Sequence, residues 1–124
     1  MSPDVIEDII RRYLEAFNNR DYDALISLYS QEATLEDPYG SPPIRGAAQI
    51  RAFYEQFKDG NSTLHLDGAI RAAERAAAFP FKVRMGNEAN QVIEVIDSFV
   101  FDEAGKIKEM RAFWGAKNVH SGGQ

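Results

Sequence analysis

Apolar residues recur every three or four positions in the first half of this chain and every second position in the last third. The first spacing marks amphipathic helices, the second half-buried strands. Ile6, Ile9, Ile10, Tyr13 and Phe17 form one helical stripe. Ser2-Pro3-Asp4 precedes it with a capping hydroxyl, a proline at the first helical position and an acid in the first turn. Asn18-Asn19-Arg20 ends that helix, and Asp21 is placed to cap a shorter one with Leu25, Leu28 and Tyr29 inward. Ala33 to Glu36 reads as strand, followed by a loop rich in proline and glycine. A third helix is expected from Gly46 to Phe57, with Ile50, Phe53, Tyr54 and Phe57 on one side.

The remainder alternates. Leu64, Leu66 and Ile70 face one way and His65, Asp67 and Arg71 the other; Ala77, Phe79, Phe81, Val83 and Met85 share a face. Pro80 within that run suggests an edge strand or a bulge. Residues 92–101 place Ile93, Val95, Asp97, Phe99 and Phe101 together, and Asp102 to Gly105 reads as a hairpin loop. Lys106 to Ala116 then returns with Met110, Ala112, Trp114 and Ala116 on its apolar face. Matching an odd-numbered face to an even-numbered one requires an odd register sum, for instance Phe101 opposite Lys106. Asp97 is then expected near Met110 and Ala112, with Arg111 pointing away. The tail from His120 is expected to fray. Helices followed by an antiparallel meander predict an α+β domain, with three helices on one face of the sheet and a single domain over residues 1–124.

Three polar residues stand out against this pattern. Asp97 lies in the middle of an apolar strand face, where an ionised carboxylate loses water without an evident partner. Asp37 sits where strand gives way to loop, immediately before Pro38, which biases it to an extended conformation. A carboxylate there either organises the turn or carries chemistry, and the Asp37–Pro38 bond is expected to be cis. Tyr13 is on the inward stripe of the first helix, so its hydroxyl needs a buried partner. If the sheet curls, Phe79, Phe81, Phe99, Phe101, Met110 and Trp114 line an apolar cavity; a filled core is the plain alternative.

Composition narrows the classes. A formal net charge of −5 argues against a phosphate backbone, and hence nucleic acid, as partner. The chain has no cysteine, which excludes thiolate chemistry, and its two histidines, His65 and His120, lack metal-ligand spacing. No apolar run reaches membrane-spanning length, and the start MSPDVIEDII has no secretory signal pattern, so the expected location is the cytoplasm.

The segments RRYLEAFNNRD, EATLEDPYGSPPIRG, IRAFYEQF, VIDSFVFDEAGKI and MRAFWGAKNVH, in that order, resemble the bacterial ketosteroid isomerases of the nuclear transport factor two-like superfamily. The resemblance covers nearly the whole chain; Lys58 to Glu74 matches least. It implies a curved-sheet, cone-shaped fold with an apolar pocket, a homodimer, no cofactor and no metal, and a small steroid as substrate. It also implies Asp37 as general base and Tyr13 and Asp97 as oxyanion-hole donors, with Tyr29 supporting. Tyr54 is implied as a second supporting tyrosine, and Tyr54 with the inward-facing Phe79, Phe81, Phe99, Met110 and Trp114 are the expected substrate contacts. A protonated aspartic acid as donor is that family's known device, carried over from it and not read from this chain. The implied activity is a steroid Δ-isomerase taking 3-oxo-Δ5 to 3-oxo-Δ4 steroids. A binding domain without catalysis and an enzyme acting on another apolar carbonyl compound, such as a polyketide cyclase, are the competing classes.

Overall fold

The computed structural model describes residues 1–121. Helix α1 (Pro3–Asn18) begins where the sequence places it: Ser2 is the N-cap, its Oγ accepting from Val5 N at 3.2 Å. A helix of this length is marginal in isolation. Its stability comes from the buried stripe of Ile6, Ile9, Ile10, Tyr13, Leu14 and Phe17, each large side chain contributing about 1.5–3 kcal/mol on burial. Asp21 caps α2 (Tyr22–Ser27) by accepting from Ala24 N. Tyr29, expected on that helix, instead opens strand β1 (Tyr29–Glu36).

After β2 (Ile44–Arg45) and α3 (Ala47–Glu55) come the strands β3 (Thr63–Leu66), β4 (Arg71–Ala73), β5 (Ala76–Arg84), β6 (Val92–Phe101) and β7 (Ile107–Phe113). A 3-10 turn over Ala116–Asn118 leads to β8 (Val119–His120). The tail expected to fray is therefore paired through His120, opposite Val92 on β6; only residues 122–124 lie outside the described part.

The sheet corrects the expectation of an antiparallel, cone-shaped architecture. Its order is β2-β1-β7-β6-β5-β3, with β4 on β5 and β8 on β6, and its path ends on β2 and β3 without closing. It is a mixed, open sheet, because β1 runs parallel to β7. Alternation along a strand reports which residues share a face but carries no information on the direction of a neighbour remote in sequence. Strands β5, β6 and β7 are consecutive and antiparallel, whereas β1 is remote in sequence from β7 and no hairpin fixes its direction.

Two local features also differ from expectation. Strand β5 is flanked on both sides and its pairing with β6 is continuous from Ala76 to Arg84, so Pro80 sits neither on an edge nor in a bulge. The Pro80 carbonyl accepts from Asp67 N at 3.0 Å. Its missing N–H faces that same side, at the gap between β3 and β4, where no ladder bond is lost. Gly68 follows that contact, and a Cβ there would come within 3.1 Å of Pro80 Cγ. Second, β6 and β7 pair with Asp97 opposite Ala112 and Phe99 opposite Met110, then Phe101 opposite Ile107 across a bulge. The odd register sum holds from Ile96 to Val100, offset by two from Phe101–Lys106, and becomes even at Phe101, past the bulge. The extra residue on β7 turns Ile107 to the same buried face as Met110 and Ala112. Ala116 belongs to the 3-10 turn and not to the strand.

Candidate active site

The site is made by register. On one side of β7, Glu36 of β1 pairs with Arg111, so the next residue, Asp37, arrives level with Ala112. On the other side Ala112 pairs with Asp97. Two carboxyl groups far apart in sequence thus flank one small residue. Tyr39 N donates to the Ala112 carbonyl at 2.7 Å, pinning the loop that follows Asp37, and the Asp37–Pro38 peptide is cis. Trp114, just beyond β7, donates from Nε1 to Asp37 Oδ1 at 2.8 Å. A partly buried tryptophan N–H needs such an acceptor; the sequence placed Trp114 on the apolar face but not in this bond.

Helix α1 closes the site from above. The Tyr13 ring packs edge-on against Phe99 and Phe79, with centroids 5.1 and 6.3 Å away. Its hydroxyl donates to Asp97 Oδ2 at 3.4 Å and lies 3.2 Å from the Tyr54 hydroxyl. Tyr54 is in turn 2.6 Å from the Tyr29 hydroxyl. The result is a buried chain, Asp97–Tyr13–Tyr54–Tyr29, supplied by β6, α1, α3 and β1. Asp97 is 0% exposed, and its Oδ1 has no hydrogen-bond partner among the described residues. Arg111 bonds Glu109 instead.

These surroundings set the protonation states. Burial pushes the Asp97 carboxyl well above the usual carboxylate range, and the nearby charge of Asp37 adds to this; the Tyr13 hydrogen bond opposes both. Burial also raises the half-buried Asp37, with the Trp114 N–H pulling it back down. Tyr13, Tyr29 and Tyr54 are all raised, first by burial, and stay neutral phenols. Two acids in one cavity therefore sit in different environments: one sealed in apolar packing, the other held by a donor nearer the opening.

The cavity has a volume of about 310 Å³, and Tyr13, Asp37 and Asp97 all reach its wall. Of the expected contacts, Tyr54, Phe81, Met110 and Trp114 line it. Phe79 and Phe99 do not. They are fully buried and hold the Tyr13 ring from behind, as Phe101 packs behind Phe99. Alternation placed them on the inward face; depth within that face depends on what packs over it. Phe17, Phe57, Val95 and Ser62 are wall residues that the pattern did not single out as such.

A model of the SnoaL-like domain matches residues 10–110. A protein of Nocardioides simplex named Steroid Delta-isomerase is 38% identical over 110 residues, covering 88% of this chain and 89% of its own. The chain belongs to the steroid Δ-isomerase family. A solved structure of the epoxide hydrolase/cyclase-like enzyme SalBIII, described with a role in pyran ring formation in the polyether salinomycin, is 25% identical. It covers 93% of this chain and 94% of its own with a TM-score of 0.84. As an enzyme of the steroid Δ-isomerase family, the protein carries aspartates and tyrosines together on the wall of an apolar cavity.

The raised Asp97 pKa has a consequence for stability. Above about pH 4 the unfolded chain releases this proton while the folded protein keeps it, so the folded state binds more protons. Stability from this group is fully present below the unfolded pKa and is lost as pH rises towards the folded one. The slope is at most about 1.4 kcal/mol per pH unit. Asp97→Asn removes that slope. Urea midpoints from pH 4 to pH 7 are expected to show the variant gaining on the parent as pH rises; a pH-independent difference would leave Asp97 with an ordinary pKa.

Proposed function

We propose that this enzyme is a steroid Δ-isomerase, moving the β,γ double bond of 3-oxo-Δ5 steroids into conjugation with the ketone by intramolecular proton transfer. Asp37 takes the proton from the carbon between the ketone and the double bond. The electrons move onto the ketone oxygen to give a dienolate, which Tyr13 and Asp97 hold by hydrogen bonds. Asp37 then returns the same proton at the far end of the former double bond, so nothing is oxidised or reduced. A base and a pair of neutral donors meet every demand of this chemistry. The observation that carries the reading is the convergence of Asp37 and the Tyr13–Asp97 pair in one apolar cavity. The Nocardioides simplex relative supports the substrate class.

Asp97 can serve as a donor only when protonated, and its raised pKa supports that state. Tyr54 and Tyr29 support Tyr13 from behind. Incubation with 5-androstene-3,17-dione, followed by the ultraviolet absorbance of the conjugated enone, is expected to show turnover. The likeness to SalBIII favours a second reading, an enzyme acting on another apolar carbonyl compound or epoxide. Failure of the steroid assay with a folded protein would move the assignment there.

A homodimer belongs to the same proposal. Tyr39, Ile96 and Phe113 are exposed, Ile96 pairs with Phe113, and Tyr39 stacks on the Phe113 ring at 5.4 Å, giving an apolar patch on the outer sheet face. Light scattering is expected to give twice the chain mass, reduced towards the monomer by Phe113→Glu.

A further inference from the structure

Among the described residues, the polar side chains on the cavity wall are the five already discussed and one other, Ser62. Ser62 lies at the opposite end. Asp97 pairs with Phe79 on β5, whereas Thr63 pairs with Arg84. Ser62 therefore stands level with Met85, just past the end of β5 and towards the other end of the cavity from Asp97. Along α1 the same two ends are marked by Tyr13 and, just past the helix end, by Arg20. Asn18 fixes that end to β3 through two bonds, donating to the Leu64 carbonyl at 2.9 Å and accepting from Leu64 N at 2.7 Å.

Ser62 is 5% exposed. Its Oγ accepts from Arg20 Nη2 at 3.4 Å, and its own hydroxyl proton goes to no acceptor among the described residues. A buried hydroxyl that does not donate costs free energy. Arg20 has a left-handed backbone (φ 55°) and spends its guanidinium on uncharged oxygens, the carbonyls of Phe17, Gly60 and Ser62 besides Ser62 Oγ. This cation, donating to the hydroxyl oxygen, makes the O–H a stronger donor.

Resting on the isomerase reading above, we propose that Ser62 is a specificity-determining residue. Its hydroxyl donates a hydrogen bond to a carbonyl or hydroxyl oxygen at the end of the ligand remote from the reacting ketone. The cavity then selects elongated apolar ketones that carry a polar acceptor at the far end over those with bare hydrocarbon there. Pinning of the 60–62 loop does not account for Ser62, because the carbonyls of Gly60 and Ser62 accept the shorter Arg20 bonds, at 2.9 and 2.8 Å. Ser62→Ala leaves those bonds in place.

The test compares kcat/KM for 5-androstene-3,17-dione and for its 17-deoxy analogue, 5-androsten-3-one, in the parent, Ser62→Ala and Ser62→Thr. The parent is expected to prefer the 17-oxo substrate by about three- to tenfold, the scale of one hydrogen bond. Ser62→Ala should bring that ratio close to one, mostly through KM, and Ser62→Thr should restore it. An unaltered ratio in Ser62→Ala, or equal losses on both substrates, overturns the proposal. Binding of a planar phenolic steroid with and without a 17-oxo group, followed by fluorescence, gives the same comparison without turnover. If the parent isomerises neither substrate, the isomerase reading fails, and the binding ratio still decides the role of Ser62.

Discussion

Asp37→Asn is expected to lower isomerisation of 5-androstene-3,17-dione by about 10²–10⁴-fold, the usual worth of a positioned general base, while a planar phenolic steroid still binds. The substitution isolates basicity. An asparagine carbonyl in place of Oδ1 can still accept from Trp114 Nε1, which donates to Asp37 at 2.8 Å, so shape and anchoring survive. The acid limb of the pH–rate profile gives a second readout. Burial raises the Asp37 pKa and the Trp114 bond lowers it, so activity should rise with pH through a value above the ordinary carboxylate range. Trp114→Phe removes the lowering contribution and should move that limb to higher pH. Turnover of Asp37→Asn within threefold of the parent would remove Asp37 from the mechanism.

At the other side of the reacting atoms, Tyr13→Phe should lose about 10²–10³ in kcat, the scale of one oxyanion donor. Tyr29→Phe should lose far less. The geometry gives the reason: the Tyr13 hydroxyl lies between Asp97 and Tyr54, whereas the Tyr29 hydroxyl is one step further back, bonded among the described residues to Tyr54 alone. For Asp97 the informative comparison is between two variants. Asparagine keeps the planar shape and can donate; leucine keeps approximate bulk and cannot. Asp97→Leu should fall by about 10²-fold or more, with Asp97→Asn retaining clearly more, after circular dichroism has shown both to be folded. Equal damage, or infrared spectra showing an ionised Asp97 at pH 7 with ligand bound, would exclude a neutral donor. Equal losses in Tyr13→Phe and Tyr29→Phe would make Tyr13 a packing residue, acting through its ring contacts to Phe79 and Phe99.

What the sequence determined by itself is whatever depends on near neighbours. The Ser2 and Asp21 caps, the buried stripe of α1 and the apolar face around Asp97 are set by spacings of a few residues. The hairpin joining β6 to β7 is also local, which is why its register parity, and with it Asp97 beside Ala112, was legible. Tertiary structure decided the rest. That β1 runs parallel to β7 follows from a contact between segments remote in sequence, so no periodicity encodes it, and the expected antiparallel cone gave way to a mixed open sheet. Depth was equally hidden: Phe79 and Phe81 share a face, yet only Phe81 reaches the cavity. Trp114 meeting Asp37, and Ser62 joining the wall with Arg20 behind it, each require two distant segments to arrive together. A pattern assigns a side chain to a face; only the packed chain places another group opposite it.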